Sequence, residues 1–233
     1  MIELYDLAGA DPAVRFSPYC WRTRMALAHK GLDVTTHPWR FTERERLAFS
    51  GQGRVPVIRD GGEVVFDSWT IARHLEATYA DRPSLFNGAG GMAHARFVNS
   101  WADTVLNAGI APLIIADIHA AIDEKDKEYF RSSREARFGR RLEEVQAGRE
   151  QGVARFRESL APLRATLAAQ PFLGGASPSY ADYIPFGGFM WARVTSAFEL
   201  LEASDPISAW RETMLDLHGG LARSAAVGYR RSA

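Results

Sequence analysis

The chain has 233 residues, 46% of them hydrophobic and 24% charged, the proportions of a globular protein with room for one or two domains. Its 28 Lys and Arg balance 28 Asp and Glu, which argues against nucleic acid or an anionic membrane as a partner. A single cysteine leaves no internal disulfide and no multi-cysteine metal site, so a reducing, cytoplasmic setting without a bound metal is expected.

The N-terminal Met1-Ile2-Glu3-Leu4-Tyr5-Asp6 lacks the basic and apolar regions of a secretory signal. No apolar run reaches the ~18 residues of a membrane span. Ile2–Leu7 reads as a first strand, with Tyr5 in the core. A helix opens near Ser17-Pro18 and runs to Lys30-Gly31, with Trp21, Met25 and Ala28 on one face. Asp33–His37 is a second strand, and Thr42–Ser50 a short helix or loop. Val55–Ile58 and Val64–Phe66 form two strands around Arg59-Asp60-Gly61-Gly62, and a helix follows over Ser68–Tyr79. The order is β-α-β-α-β-β-α over residues 1–80.

Residues 81–90, with Asp81-Arg82-Pro83-Ser84 and Asn87-Gly88-Ala89-Gly90-Gly91 at their core and edge, have a linker's composition. From 91 to 233 only helical patterns remain, an all-α unit. One long helix is expected over Met92–Ile122, bent or broken by Pro112. The charged stretch Asp123–Glu158 reads as a solvated helical face. Val153, Phe156, Leu160, Leu163 and Leu167 then form an amphipathic stripe. Ser179-Tyr180-Ala181-Asp182 has capping-box spacing and opens a helix to about Leu201. A last helix spans Pro206–His218.

Three places carry chemistry-bearing residues. Ser17 sits at a strand-to-helix junction before a proline, where an N-cap is one reading and an anion at the helix N-terminus another. Its spacing to Cys20 is that of a C-x-x-C motif with the first thiol replaced. Cys20 is either a small buried hydrophobe or a thiol activated by the helix dipole. Tyr19 offers a further hydroxyl. Arg54-Val55-Pro56 precedes a strand; a cis bond there would turn the backbone of Val55 outward to pair with an extended peptide, and a trans bond would leave an ordinary loop. Asp67-Ser68 opens a helix, either as caps or as a binding pair for an α-amino acid group.

In this order, these signals resemble the glutathione S-transferase superfamily. Val55-Pro56, Asp67-Ser68 and Ser179/Asp182 stand where that superfamily has its own equivalents, and the likeness covers nearly the whole chain. It implies a thioredoxin-like α/β domain followed by an all-α domain. Longer strings are similar to bacterial β-etherases, which cleave β-aryl ethers of lignin-derived compounds, and to fungal etherase-like relatives. They include Ser17-Pro18-Tyr19-x-Trp21-Arg22-Thr23, Phe41-Thr42, Asp67-Ser68-Trp69, Ser132-x-Arg134-Glu135 and Arg141–Glu150. The resemblance implies glutathione as cosubstrate, with Ser17 donating to its sulfur and Val55, beside Pro56, pairing with its cysteinyl backbone. Asp67 and Ser68 would hold its γ-glutamyl end. Gln52, Arg54 or, less directly, Arg40 would hold its glycyl carboxylate. Trp39, Trp101, Asn107, Phe189, Met190 and Trp191 are candidate walls for a hydrophobic aromatic electrophile. A homodimer is implied as well. Two alternatives stay open: a thiol-disulfide reductase or deglutathionylase using Cys20, and a non-catalytic ligand-binding protein.

Overall fold

In the computed structural model, which describes residues 1–229, β1 (Ile2–Leu7), β2 (Val34–Trp39), β3 (Val57–Asp60) and β4 (Glu63–Phe66) form one sheet in the order β2-β1-β3-β4. Helix α1 (Pro18–His29) connects the parallel pair β1 and β2, and the β3–β4 hairpin runs antiparallel beside β1. The register sets Leu7 opposite Trp39, Tyr5 opposite Val57 and Val57 opposite Phe66. The C-terminal ends of β1, β2 and β4 and the start of β3 therefore share one margin of the sheet. Ligands of open α/β sheets bind at such a margin.

Strand β2 runs two residues beyond His37. Pro38 is accommodated because β2 lies at the sheet edge, where a missing N–H breaks no ladder. Strand β3 begins only at Val57, after a cis Val55–Pro56 bond. Residues Arg44–Ser50 form tight 3₁₀ turns. Tyr5 is not a core residue: the pleat turns it to the face opposite Leu4, where it stacks on His37 at 4.9 Å and meets Phe49 at 5.0 Å.

The remainder is helical: α2 (Ser68–Thr78), α3 (Ala89–Trp101), α4 (Asn107–Ala121), α5 (Glu124–Phe138), α6 (Leu142–Ala147), α7 (Arg149–Ser159), α8 (Ala161–Ala169), α9 (Tyr180–Thr195) and α10 (Pro206–Gly220). Pro112 lies inside α4 without breaking it. The irregularity falls earlier, in a wide π turn over Ala102–Leu106 that joins α3 to α4. The joined helix Ala89–Ala121 is, by length and composition, apolar enough to cross a membrane, contrary to the sequence expectation. Its apolar stripe is instead the core of the helical part, with Ile110, Ile114 and Ile118 buried. Helix α9 stops at Thr195, short of Leu201, and α10 leaves helical geometry at Leu217, with His218 at φ 52°.

The capping box of α9 does more than start a helix. Asp182 is wholly buried and accepts N–H bonds from Leu173 (2.7 Å), Ser179 (2.9 Å), Gly174 (3.0 Å) and the Trp210 indole (3.2 Å). Burial pushes its carboxyl up and those donors pull it back. Thus anchored, α9 lies directly against α1. A Cβ on Gly187 would stand 2.3 Å from the Pro18 carbonyl oxygen, and one on Gly188 2.7 Å from Asn107 Oδ1. Ordinary contacts never come so close, so α9 reaches the start of α1 on one side and α4 on the other only because these two positions carry no side chain.

At the far end of α1, His29 Nε2 donates to the Ser84 carbonyl (3.1 Å) and Nδ1 accepts from the Tyr183 hydroxyl (2.6 Å). His218 Nε2 lies 3.1 Å from the same hydroxyl. Burial lowers both imidazoles, that of His218 to about 4 with the charge of His29 adding to the effect.

Gly187→Ala should destabilise the protein by about 1–3 kcal/mol, because neither the backbone of Pro18 nor α9 can give way. A thermal melt against wild type reads this directly. The two histidines fix a pH dependence. Unfolded histidine takes up its proton near pH ~6.5, whereas folded His218 resists to about 4. In that window the unfolded state holds more protons, so stability is full above it and falls as the pH drops through it. Melting temperatures from pH 8 to 4 should decline across this window, and His218→Asn should make the decline shallower.

Candidate functional site

Phe16 N–H donates to the Leu7 carbonyl (3.2 Å), so the loop after β1 returns to the sheet margin before α1 begins. Ser17 caps the helix with extended backbone (φ −62°, ψ 126°), and Pro18 occupies the first turn. Its Oγ accepts the Cys20 N–H at 3.3 Å, which leaves the hydroxyl proton free to donate. The cap reading and the functional reading of Ser17 are therefore compatible. Cys20 is completely buried, and burial, then the charge of Asp6, push its thiol well above the ordinary range. The helix N-terminus does not activate it, because desolvation of a thiolate there outweighs the dipole.

Ser17 lies at the base of a cleft of about 440 Å³ between the sheet margin and helices α4, α5 and α9. Of the residues the sequence points to, Ser17, Tyr19, Trp39, Arg54, Val55, Asn107 and Trp191 line it. Its apolar walls are completed by Phe16, Phe41, Tyr129, Phe130 and Phe138. Pro56, Asp67 and Ser68 stand just outside this lining, at the same sheet margin by the pairing of Val57 with Phe66. Asp67 holds φ 70°, a region that non-glycine residues occupy at a cost, and one carboxylate oxygen accepts from Thr70 N (3.0 Å). Ser68 is buried, and its carbonyl accepts the Tyr180 hydroxyl at 2.8 Å.

Five expected residues fall elsewhere. Trp101 is not in the lining: residues 103, 107, 108, 111, 115 and 118 form the cleft-facing stripe, and Trp101 lies on another side of the helix. Phe189 and Met190 are buried in the core, Phe189 against Trp210 at 6.1 Å, while Trp191 alone turns to the cleft. Arg40 is committed to the Gly9 and Ala10 carbonyls (3.1 and 3.0 Å) and to Asp123 (3.3 Å). Gln52 lies outside the lining, although its neighbours Gly53 and Arg54 belong to it.

The structure also brings in residues the sequence reading left aside. Arg22 is fully buried and donates to Asn99 (2.9 Å) and Asp103 (2.8 Å), while Asn99 donates to Asp103 (3.0 Å). The Arg22 guanidinium also sits 4.7 Å over the Tyr19 ring. Burial, then Asp103, push the Tyr19 phenol above its usual value. The stretch Asp123–Glu158 is not simply a solvated face. Asp126 is buried and accepts from Phe41 N, Thr42 N (each 3.0 Å) and Thr42 Oγ1 (2.6 Å), which clamps α5 to the segment after β2. Arg134 and Arg137 of α5 then reach the cleft. The signal was present: 126, 130, 134 and 137 recur at helical spacing and mark one face.

Two family models match this chain. Residues 16–78 match "Glutathione S-transferase, N-terminal domain" and residues 93–216 match "Glutathione S-transferase, C-terminal domain". The arrangement is that of a thioredoxin-like domain with an all-helical partner domain, and the chain belongs to the glutathione S-transferase family. Glutathione is the cosubstrate this membership carries. Curated relatives include glutathione S-transferase 4 of Zea mays, 28% identical over 86% of this chain and 87% of its own length. The glutathione S-transferase-like protein ustS of Aspergillus flavus is 27% identical over 91% and 84%. Among solved structures, glutathione transferase GSTFuA3 of Phanerochaete chrysosporium superposes with a TM-score of 0.76 at 26% identity, covering 100% of this chain and 98% of its own. A Ceriporiopsis subvermispora glutathione S-transferase, solved in complex with glutathione, shares the fold at a TM-score of 0.75 and 24% identity, over 96% and 94%.

Burial of Cys20 leads to a simple expectation: the native protein should resist thiol alkylation at neutral pH and take up one equivalent when denatured. Mass spectrometry after iodoacetamide treatment measures this, and rapid labelling of the native protein would contradict the burial argument.

Proposed function

We propose that the chain catalyses transfer of glutathione's sulfur to an aromatic electrophile, with β-aryl ether cleavage as the reaction to test first. The observation that carries this reading is the junction of an aromatic-walled cleft with Ser17 at the start of α1. Glutathione would lie along the sheet margin. Its cysteinyl backbone would pair with Val55 beside Pro56, its γ-glutamyl end would meet Asp67 and Ser68, and Arg54 would take the glycyl carboxylate, with Gln52 behind it. The strained backbone of Asp67 supports a role beyond capping. Ser17 Oγ–H would then donate to the sulfur. A hydrogen bond to the charged form and the positive end of α1 both lower a thiol pKa.

The thiolate attacks the carbon that bears the ether oxygen. A C–S bond forms as the C–O bond breaks, and the phenolate departs with the electron pair and takes a proton from water. Trp39, Asn107 and Trp191, with the ring of Tyr129, would flank the electrophile. The buried, high-pKa thiol of Cys20 supports transfer over a disulfide-reductase reading, which needs an accessible thiolate. A homodimer is part of the proposal, since Val64 and Phe66 of edge strand β4 and Phe97 of α3 expose apolar side chains that a second copy would cover. A cytoplasmic location is proposed with it.

Incubating glutathione with β-aryl ether model compounds should release the phenol and yield a glutathione thioether. Lack of both products, with activity retained on activated haloarenes, would leave a transferase without etherase activity. Ser17→Ala should lower kcat/KM on the order of 10- to 100-fold and weaken the thiolate absorbance of bound glutathione. Wild type and variant that both bind glutathione but are equally without turnover in every transfer assay would instead indicate a ligand-binding protein.

A further inference from the structure

The chain is neutral as a whole, but the mouth of the cleft is not. Arg54, Arg134 and Arg137 all line it, and among the described residues none of them has a carboxylate within ion-pair distance. Arg131 of the same helix shows the ordinary alternative, holding Glu135 at 2.8 Å and Glu143 at 2.7 Å. The one carboxylate on the lining, Asp103, is committed to Arg22 and Asn99. Arg134 lies half-buried over Phe130 (4.5 Å) and Phe41 (5.1 Å), so its fork is held against the aromatic wall. Burial, and then the charges of Arg137 and Arg54, hold its guanidinium below the usual range.

Three cations around one cavity repel each other until an anion enters. Glutathione brings one carboxylate to this side of the site, and Arg54, next to Val55, is placed to receive it. Arg134 and Arg137 come from α5 beside the rings of Tyr129, Phe130 and Phe138; Arg134 donates to Ser133 Oγ (2.8 Å), and neither has a carboxylate partner. Guanidinium groups accept carboxylates through paired N–H···O bonds, and an adjacent ring surface suits an arene. Resting on the transferase reading above, we propose that Arg134 and Arg137 bind a carboxylate carried by the aromatic electrophile, so that aryl acids are the preferred substrate class over neutral arenes.

The test uses a matched pair, 4-chloro-3,5-dinitrobenzoate and its amide, with the full-length protein and glutathione. In each case the thiolate displaces chloride, forming C–S as C–Cl breaks, and the thiol proton goes to solvent. The acid should be favoured in kcat/KM by about tenfold after correction for the uncatalysed rates, and added salt should erode that preference. Arg137→Met and Arg134→Met should each cut the acid-over-amide ratio about fivefold, and Arg137→Lys should restore part of it. Arg137 is exposed, so its variant carries the test if Arg134→Met folds poorly. Equal use of acid and amide would overturn the proposal. So would an equal rise in the KM for glutathione with both electrophiles, which would assign these arginines to the glycyl carboxylate. If neither compound turns over, tryptophan fluorescence titration of the glutathione-saturated protein with both compounds reads the same ratio, and equal affinities overturn it. Failure of glutathione itself to bind, titrated alone, would instead count against the transferase reading.

Discussion

At Gly187 helix α9 comes close against the backbone of α1, and the geometry of the cleft follows from it. Two successive glycines inside a helix cost about 1 kcal/mol each relative to alanine. Here they let α9 seat against the Pro18 carbonyl on one side and the Asn107 amide on the other. The start of α1, which belongs to the α/β part, thus comes to lie beside α4, which belongs to the helical part. Asp182 makes the arrangement rigid from the other end, since its four N–H partners tie the first turn of α9 to Leu173, Gly174 and Trp210.

Once the two parts are this close, charge must be managed across the seam. Arg22 is buried on α1 and finds Asp103 and Asn99 on the long helix of the other part. Such a pair adds little net stability, but removing one partner leaves a buried charge uncompensated, at a cost of about 3–5 kcal/mol. Asp126 performs a second such link between α5 and the segment after β2. With Asp103 and Asp126 both engaged in these links, the arginines at the cleft mouth are left without a carboxylate to pair with. The positive rim is a by-product of how the carboxylates hold the two halves together, and it makes the cleft receptive to anions.

Much of this was legible in the chain itself. The strand–loop–Ser17-Pro18 junction, Val55-Pro56, Asp67-Ser68 and the Ser179/Asp182 box are short-range patterns whose geometry is decided by neighbours within a few residues. Each stands at the helix start or strand margin expected of it. The errors fall where a helical face had to be assigned. Trp101, Phe189 and Met190 are apolar and near the right place, but a displacement of one or two residues turns a helical side chain to another side. The π turn at Ala102–Leu106 shifts the phase of the long helix at that very point, and no residue type announces it. Arg40 looked available by position, yet nearby carbonyls that only folding brings within reach had already engaged it.

The sequence by itself determined the order of elements, the two-part architecture and the replacement of a motif thiol by Ser17, because these depend on periodicity, capping and local backbone preference. Tertiary structure alone decided which side chains share the cleft, that Cys20 is shut away from it, and that Arg134 and Arg137 meet Arg54 at its mouth. Desolvation and the pairing of charges depend on groups far apart in the chain, and those distances are set only when α9 closes on α1 and α5 is clamped beside Phe41.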